Sequence, residues 1–183
     1  QVNRRETTEF LSKLLVKEKF NGMGKYWARE VSIDYGTRDV KRVDFMQFVP
    51  PSQCSISDIE KGHFVCYEIK SCKEDVYSGN GLNFFGEKNY IVTTMQCYKD
   101  LLPDLRDGTF TNYLLETYPH SSVYFGIIVA IPFMSDVSGE FENPTDITDD
   151  IEWELRVIQQ CRPGLRKRSI TELLFCMLRS GKN

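Results

Sequence analysis

Hydrophobic and polar positions along the chain change period several times, and each change marks an element. Phe10, Leu11, Leu14 and Leu15 recur at helical spacing, and Asn3 followed by Glu6 three residues on has the form of a capping box. A first helix is therefore expected up to about Phe20, where Asn21-Gly22-Met23-Gly24 stops it. Apolar and alternating runs predict strands over 27–35, 40–49 and 63–70, with a turn at 36–39 and Pro50-Pro51 closing the second strand. Residues 71–87 are irregular, with a turn of helix at Asp75-Val76-Tyr77 and breaks at Ser78-Gly79-Asn80-Gly81 and Gly86. A short strand over 89–93, a short helix over 95–102 ended by Pro103, and a buried strand over 123–131 follow. Residues 135–150 are acidic and read as a solvated loop or lid. Two C-terminal helices are expected over 151–180, the first striped by Ile151, Leu155 and Ile158, the second opened by Ser169 with Glu172 and striped by Ile170, Leu173, Leu174, Met177 and Leu178.

This order predicts one α/β domain over 1–183, a mixed central β-sheet flanked by helices, with its core over about 1–133. A chain of 183 residues, 41% hydrophobic and 13% aromatic, is long enough to bury such a core. Its 23 Lys and Arg against 26 Asp and Glu give a net charge of -3, which argues against a protein that coats nucleic acid by bulk charge. An acidic site can still mask a local basic track. No run of about 18 apolar residues is present, so no membrane partner is expected and the protein reads as cytoplasmic. Cys54, Cys66, Cys72, Cys97, Cys161 and Cys176 form no Cys-x-x-Cys pair, and with only His63 and His120 they cannot make a zinc-finger spacing, so reduced and mostly buried thiols are expected. No phosphate-binding Gly-x-x-x-x-Gly-Lys-Ser/Thr loop occurs, and no nucleotide cofactor is expected.

The chemistry concentrates in Phe64-Val65-Cys66-Tyr67-Glu68-Ile69-Lys70. Residues two apart on a strand share a face, so Glu68 and Lys70 point one way and Ile69 the other. Asp44 lies on the preceding strand. If the two strands pair, Asp44, Glu68 and Lys70 meet around a place for one divalent cation. A Glu-x-Lys at a strand end is in most proteins only a solvated face with a weak ion pair, so the weight rests on Asp44 and the element order.

With Asp44 on the second strand and Glu68-Ile69-Lys70 on the third, the chain resembles the PD-(D/E)xK nuclease superfamily, whose core is restriction-endonuclease-like. The longer strings Glu-Ile-Lys-Ser-Cys-Lys-Glu-Asp-Val from Glu68 and Gly-Leu-Asn-Phe-Phe-Gly-Glu-Lys-Asn-Tyr-Ile-Val-Thr-Thr from Gly81 are similar to its MmcB-like branch of bacterial and phage proteins. Val43 stands where the superfamily's name has proline. The resemblance implies a Mg²⁺- or Mn²⁺-dependent deoxyribonuclease, an endonuclease more than an exonuclease, acting in DNA repair or mobile-element DNA processing. It implies Asp44, Glu68 and Lys70 as catalytic residues, with Asp44, Glu68 and the Ile69 carbonyl as metal ligands. It also implies a further acid on the first helix or an early strand, for which Glu9, Glu18 and Glu30 stand available. Glu9 already has Lys13 four residues on, which favours Glu30.

For DNA contacts the sequence offers Lys88, beside the glycine-containing loop with Asp75, and the cluster Arg162, Arg166, Lys167 and Arg168. The plainer readings are an exposed loop charge and cations answering a helix dipole. Phe84 and Phe85 are offered as stacking residues or as packing for the loop. Two rivals to the nuclease are a noncatalytic nucleic-acid-binding module on the same scaffold and an interaction protein whose terminal helices form a homodimer surface.

Overall fold

A six-stranded sheet carries the fold in the computed structural model of the chain, which describes residues 3–53 and 55–181. Spatial order follows chain order: β1 (Tyr26–Ile33), β2 (Lys41–Val49), β3 (His63–Ile69), β4 (Lys88–Thr94), β5 (Gly126–Pro132) and β6 (Trp153–Gln159). The first three strands form an antiparallel meander, β3, β4 and β5 run parallel, and β6 returns antiparallel to β5. The fold is α/β with a mixed open sheet flanked by helices, as the sequence predicts.

One helix covers one face and three cover the other. Against one face lies α1 (Arg4–Leu15), whose Leu11, Leu14 and Leu15 pack on Tyr67, Ile69, Val92 and Ile128. The capping box is present: Asn3 Oδ1 accepts the Glu6 N–H at 2.9 Å, and the Asn3 N–H donates to Glu6 Oε2 at 3.1 Å. The helix continues into a π-helical turn, Val16–Phe20, where Glu18 Oε2 accepts the Leu155 N–H at 2.9 Å and ties the turn to β6.

On the opposite face α3 (Met95–Asp107) and α4 (Thr109–Thr117) cover β4 and β5, while α6 (Ile170–Ser180) covers β1 to β3. Two separate apolar clusters result, one around Phe84, Phe110 and Ile127, the other around Met46, Phe64 and Leu173. Between β3 and β4 the chain makes only α2 (Lys73–Val76) and an irregular crossing, which passes over the carboxyl end of β3.

The structure corrects the sequence at several elements. The first of the two expected C-terminal helices is the edge strand β6: Trp153 and Leu155 alternate inward onto the α1 face, and Leu155 pairs with Ala130. The sheet therefore extends well past residue 133. The acidic 135–150 segment contains a short helix, α5 (Val137–Glu142), capped by the Asp136 side chain. α3 runs through Pro103 to Asp107, since one missing N–H removes a single helical bond while Met95, Cys97 and Leu101 hold the helix down. α4 has no counterpart among the elements the sequence predicts. Of the cysteines, Cys66, Cys97 and Cys176 are buried free thiols, Cys72 and Cys161 are half-buried and free, and Cys54 lies outside the described residues.

Candidate functional site

A change of parity in two neighbouring strands sets the position of Asp44. In β1, Ala28, Val31 and Ile33 all face the α6 cluster, and in β2 so do Val43, Met46 and Phe48, so each strand skips one step between them. The ladder has no pair between Arg29↔Phe45 and Val31↔Val43, and Glu30, at the gap, has φ 55°. Asp44 stands opposite that irregularity. On its other side β2 stops pairing with β3 after Phe45↔Tyr67, and Asp44 Oδ2 accepts the Ile69 N–H at 2.8 Å.

Glu68 lies in the sheet where the two apolar clusters of one face meet, with no accessible surface. Its Oε1 accepts the Asn83 N–H at 3.1 Å, while Oε2 is buried without a hydrogen-bond partner. Burial pushes the Glu68 carboxyl well above its usual range, and the Asp44 charge pushes the same way against the partial relief of the Lys70 ammonium. Backbone N–H and C=O of one strand residue project to the same side. The Ile69 carbonyl is therefore directed toward Asp44, like its N–H.

Lys70 is nearly fully buried, and its Nζ donates to the carbonyls of Asn80 at 2.6 Å and Asp75 at 3.3 Å. The Asp75 carboxylate lies 3.8 Å away, accepts the Ser71 N–H at 3.0 Å and the Ser71 hydroxyl at 3.1 Å, and is ion-paired with Arg4 at the start of α1. A methyl group at Gly81, where φ is 70°, would sit 3.4 Å from Lys70 Nζ and 3.6 Å from Glu68 Oε2. The positive φ is what calls for glycine here, and its backbone packs over both atoms: Glu68 has no accessible surface and does not itself line the adjoining cleft.

Asn83 links this group to His120. Its Nδ2 donates to the Arg42 carbonyl at 2.8 Å, so Oδ1 is the acceptor facing His120 Nε2 at 2.9 Å, and His120 carries its proton on Nε2. Partial burial, then the nearby Lys41 and Arg168, depress the imidazole below its usual pKa, which keeps it neutral near pH 7.

Asp44, Ile69, Lys70, Asp75, Tyr118 and His120 line one cleft of about 1050 Å³, walled by the β1–β2 connection and by residues 78–81. Searches of protein-family models, curated proteins and solved structures give no match to this chain. Among the described residues no three His, Cys, Asp or Glu side chains converge as a metal-holding group. Two carboxylates, Asp44 and Glu68, lie near enough for the first to raise the pKa of the second.

The remaining expected residues divide. Glu30 lines the cleft but is half-exposed and paired with Arg42 at 2.9 Å, while Glu9 lies on the exposed side of α1, paired with Lys13 at 2.9 Å. Lys88 opens β4 opposite Val65, at the far end of β3 from Glu68 and Ile69. Arg166 pairs with Glu87 at 2.8 Å, and Arg168 pairs with Asp34 at 2.9 Å while stacking on Phe85. Lys167 donates its backbone N–H to the Phe85 carbonyl. None of Lys88, Arg166, Lys167 or Arg168 lines the cleft. Phe84 and Phe85 are fully buried and cannot stack on a base. The cations that line the cleft are Arg4, Lys41, Arg42 and Lys70, of which sequence reasoning singled out only the last. Lys41 and Arg42 open the strand that bears Asp44, which was the available signal.

Proposed function

We propose that this protein is a metal-dependent nuclease that hydrolyses DNA phosphodiester bonds at Asp44, Glu68 and Lys70, in repair or mobile-element DNA processing. One observation carries the reading: a fully buried carboxylate, Glu68, keeps Oε2 without a partner beside a second carboxylate and beneath a glycine. A buried acceptor left unmet costs about 1–3 kcal/mol, and more when charged, so such a group marks a place where a ligand completes the structure.

A divalent cation fits. Mg²⁺ and Mn²⁺ take hard oxygen donors and are commonly held by one or two carboxylates, with water and phosphate filling the rest. Asp44, Glu68 and the Ile69 carbonyl are such donors. When bound, the cation supplies a more acidic water and offsets negative charge at the phosphate. Asn83 holds Glu68 in orientation through Oε1 and leaves Oε2 free. Lys70, fixed by two carbonyls, brings an ammonium to the same opening, where it attracts a phosphate oxygen and stabilises charge that grows on it.

The absence of a third converging acid or imidazole among the described residues favours the alternative, a noncatalytic nucleic-acid-binding module on the same scaffold. Cleavage of plasmid and single-stranded DNA, assayed with Mg²⁺ and with Mn²⁺ for the wild type and Lys70→Ala, separates the two. Cation-dependent cleavage lost in the variant supports the nuclease. DNA binding without cleavage under any cation supports the module.

A further inference from the structure

We propose that Tyr118 is a further substrate-contacting residue of the cleft, its hydroxyl donating a hydrogen bond to a phosphoryl oxygen of the bound ligand. The proposal rests on the nuclease reading for the identity of that ligand as DNA. Among the described residues two buried side-chain polar atoms lack a hydrogen-bond partner, Glu68 Oε2 and Tyr118 Oη. They belong to the same place. Tyr118 lines the cleft, and Glu68 Oε2 lies beneath Gly81, which lines it too.

A cation answers the orphaned carboxylate oxygen but not the hydroxyl, whose proton needs an acceptor. Core filling does not account for the hydroxyl either. The apolar cluster that holds the Tyr118 ring is built with Phe84, Phe110 and Phe125, and phenylalanine fills such a position without the cost of a buried O–H. The Tyr113 hydroxyl, which accepts the Gly79 N–H at 3.0 Å, is the nearest competing acceptor for the Tyr118 proton and raises the phenol pKa by its charge and as a hydrogen-bond partner would, but the two hydroxyls do not reach full hydrogen-bond geometry.

The donor is held rigidly. Tyr118 closes α4, its N–H donating to the Leu114 carbonyl at 2.9 Å and its carbonyl accepting the Ser121 N–H at 2.9 Å. Its ring is wedged edge-on between Tyr113 and His120, each with centroids 6.0 Å away. Burial above all raises the phenol pKa, so the group stays protonated and remains a donor. Arg4, Lys41, Arg42 and Lys70 line the same cleft against the carboxylates Glu30, Asp44 and Asp75, and this excess of cations favours an anionic acceptor. A phosphoryl group supplies several such oxygens at once.

The test is calorimetric titration of deoxythymidine 5′-monophosphate in Ca²⁺ into the wild type and Tyr118→Phe, alongside DNA cleavage in Mn²⁺ and thermal melts of both. Loss of one hydrogen bond to a charged acceptor should raise the Kd about tenfold or more, with no fall in melting temperature. Equal affinity in the two proteins overturns the proposal, as does a wild type that does not bind the nucleotide. Nucleotide binding lost in Tyr118→Phe, in a protein that cleaves no DNA under any cation, upholds the phosphate contact and sinks the nuclease reading alone. In the wild type itself, the ring carbon-13 signals of Tyr118 should shift when the nucleotide is added, and unmoved signals also overturn the contact.

Discussion

Asp44 stands in for a backbone carbonyl to Ile69: Oδ2 accepts the Ile69 N–H at 2.8 Å, just beyond the point where the β2–β3 ladder ends at Phe45 and Tyr67. One oxygen of Asp44 thus fixes the end of β3, and the same side chain lies close enough to take a hydrogen bond from the protonated Glu68 carboxyl. Asp44, Glu68 and the Ile69 N–H meet where the two strands stop pairing.

The double use of Asp44 makes its replacement informative. Asp44→Asn retains an acceptor for the Ile69 N–H but removes the charge, whereas Asp44→Ala removes both. Both variants should lose Mn²⁺ affinity by about tenfold or more, and Asp44→Ala should also lose about 1–3 kcal/mol of stability for the stranded N–H. Calorimetry and urea denaturation check the two effects. Unchanged Mn²⁺ affinity in both variants would take Asp44 out of any metal site.

For Glu68 the sign of the pH effect is opposite to that of an ordinary surface carboxylate. Its pKa is raised in the fold, by burial first and then by Asp44, so the folded protein holds a proton that the unfolded chain releases near 4.5. Stability therefore falls as pH rises from about that value toward the raised pKa, and stays reduced above it. Glu68→Gln removes this penalty and leaves an oxygen for the Asn83 N–H and an amide to donate to Asp44. Melting temperatures in chelator should agree near pH 4.5 and diverge in favour of the variant as pH rises, while cleavage is lost. A pH-independent difference would refute the assignment of the proton to Glu68.

Lys70 and Asp75 form a third testable pair. Lys70→Ala should keep Mn²⁺ binding and lower turnover by about 10²-fold or more, since an ammonium acts on the phosphate and not as a ligand. Asp75→Ala should instead act on the fold, because it strands the Ser71 N–H and hydroxyl and unpairs Arg4, at a cost of about 1–3 kcal/mol. Denaturation curves and single-turnover rates separate the roles. A large turnover loss in Asp75→Ala at full stability would mean that Asp75 works on the substrate and not on its neighbours.

The apolar run makes β3 legible in the sequence because the strand is apolar on both faces, and Glu68 at its end, with Lys70 just beyond it, stands out. Capping-box signatures mark α1 and α6 for the same local reason, although at α6 only the Ser169 hydroxyl caps, accepting the Glu172 N–H. β6 reads as a helix in the sequence because Ile151, Leu155 and Ile158 fall at helical spacing, whereas Ile151 precedes the strand and is exposed and Leu155 and Ile158 lie on opposite faces of the sheet. Tyr118 and His120 were invisible for a different reason. Their chemistry comes from an orphaned hydroxyl and from the tautomer imposed by Asn83, and both depend on partners far away in sequence. The basic cluster at 162–168 looked like a DNA track by density alone, yet Arg166 and Arg168 are taken up by Glu87 and Asp34.

Arg4, Lys41 and Arg42 line the cleft, and Arg4 and Arg42 already have the Asp75 and Glu30 carboxylates as partners, which a phosphate must displace. Lys41, with no acidic partner within ion-pair distance among the described residues, is freest to take a phosphate. Binding of DNA in Ca²⁺ should depend linearly on log salt, and Lys41→Ala should lower the magnitude of the slope by roughly 0.7 to 0.9, the value for one lost contact. Arg42→Ala should lower it by less, since loss of the arginine also frees the Glu30 charge to repel the backbone. Lys88→Ala, at the opposite end of β3, should leave the slope unchanged, with sequence preference the same in all three variants because phosphate contacts do not read bases. A slope reduced in Lys88→Ala and intact in Lys41→Ala would place the DNA at the other end of the sheet, away from Asp44 and Glu68, and would leave the cleft to another ligand.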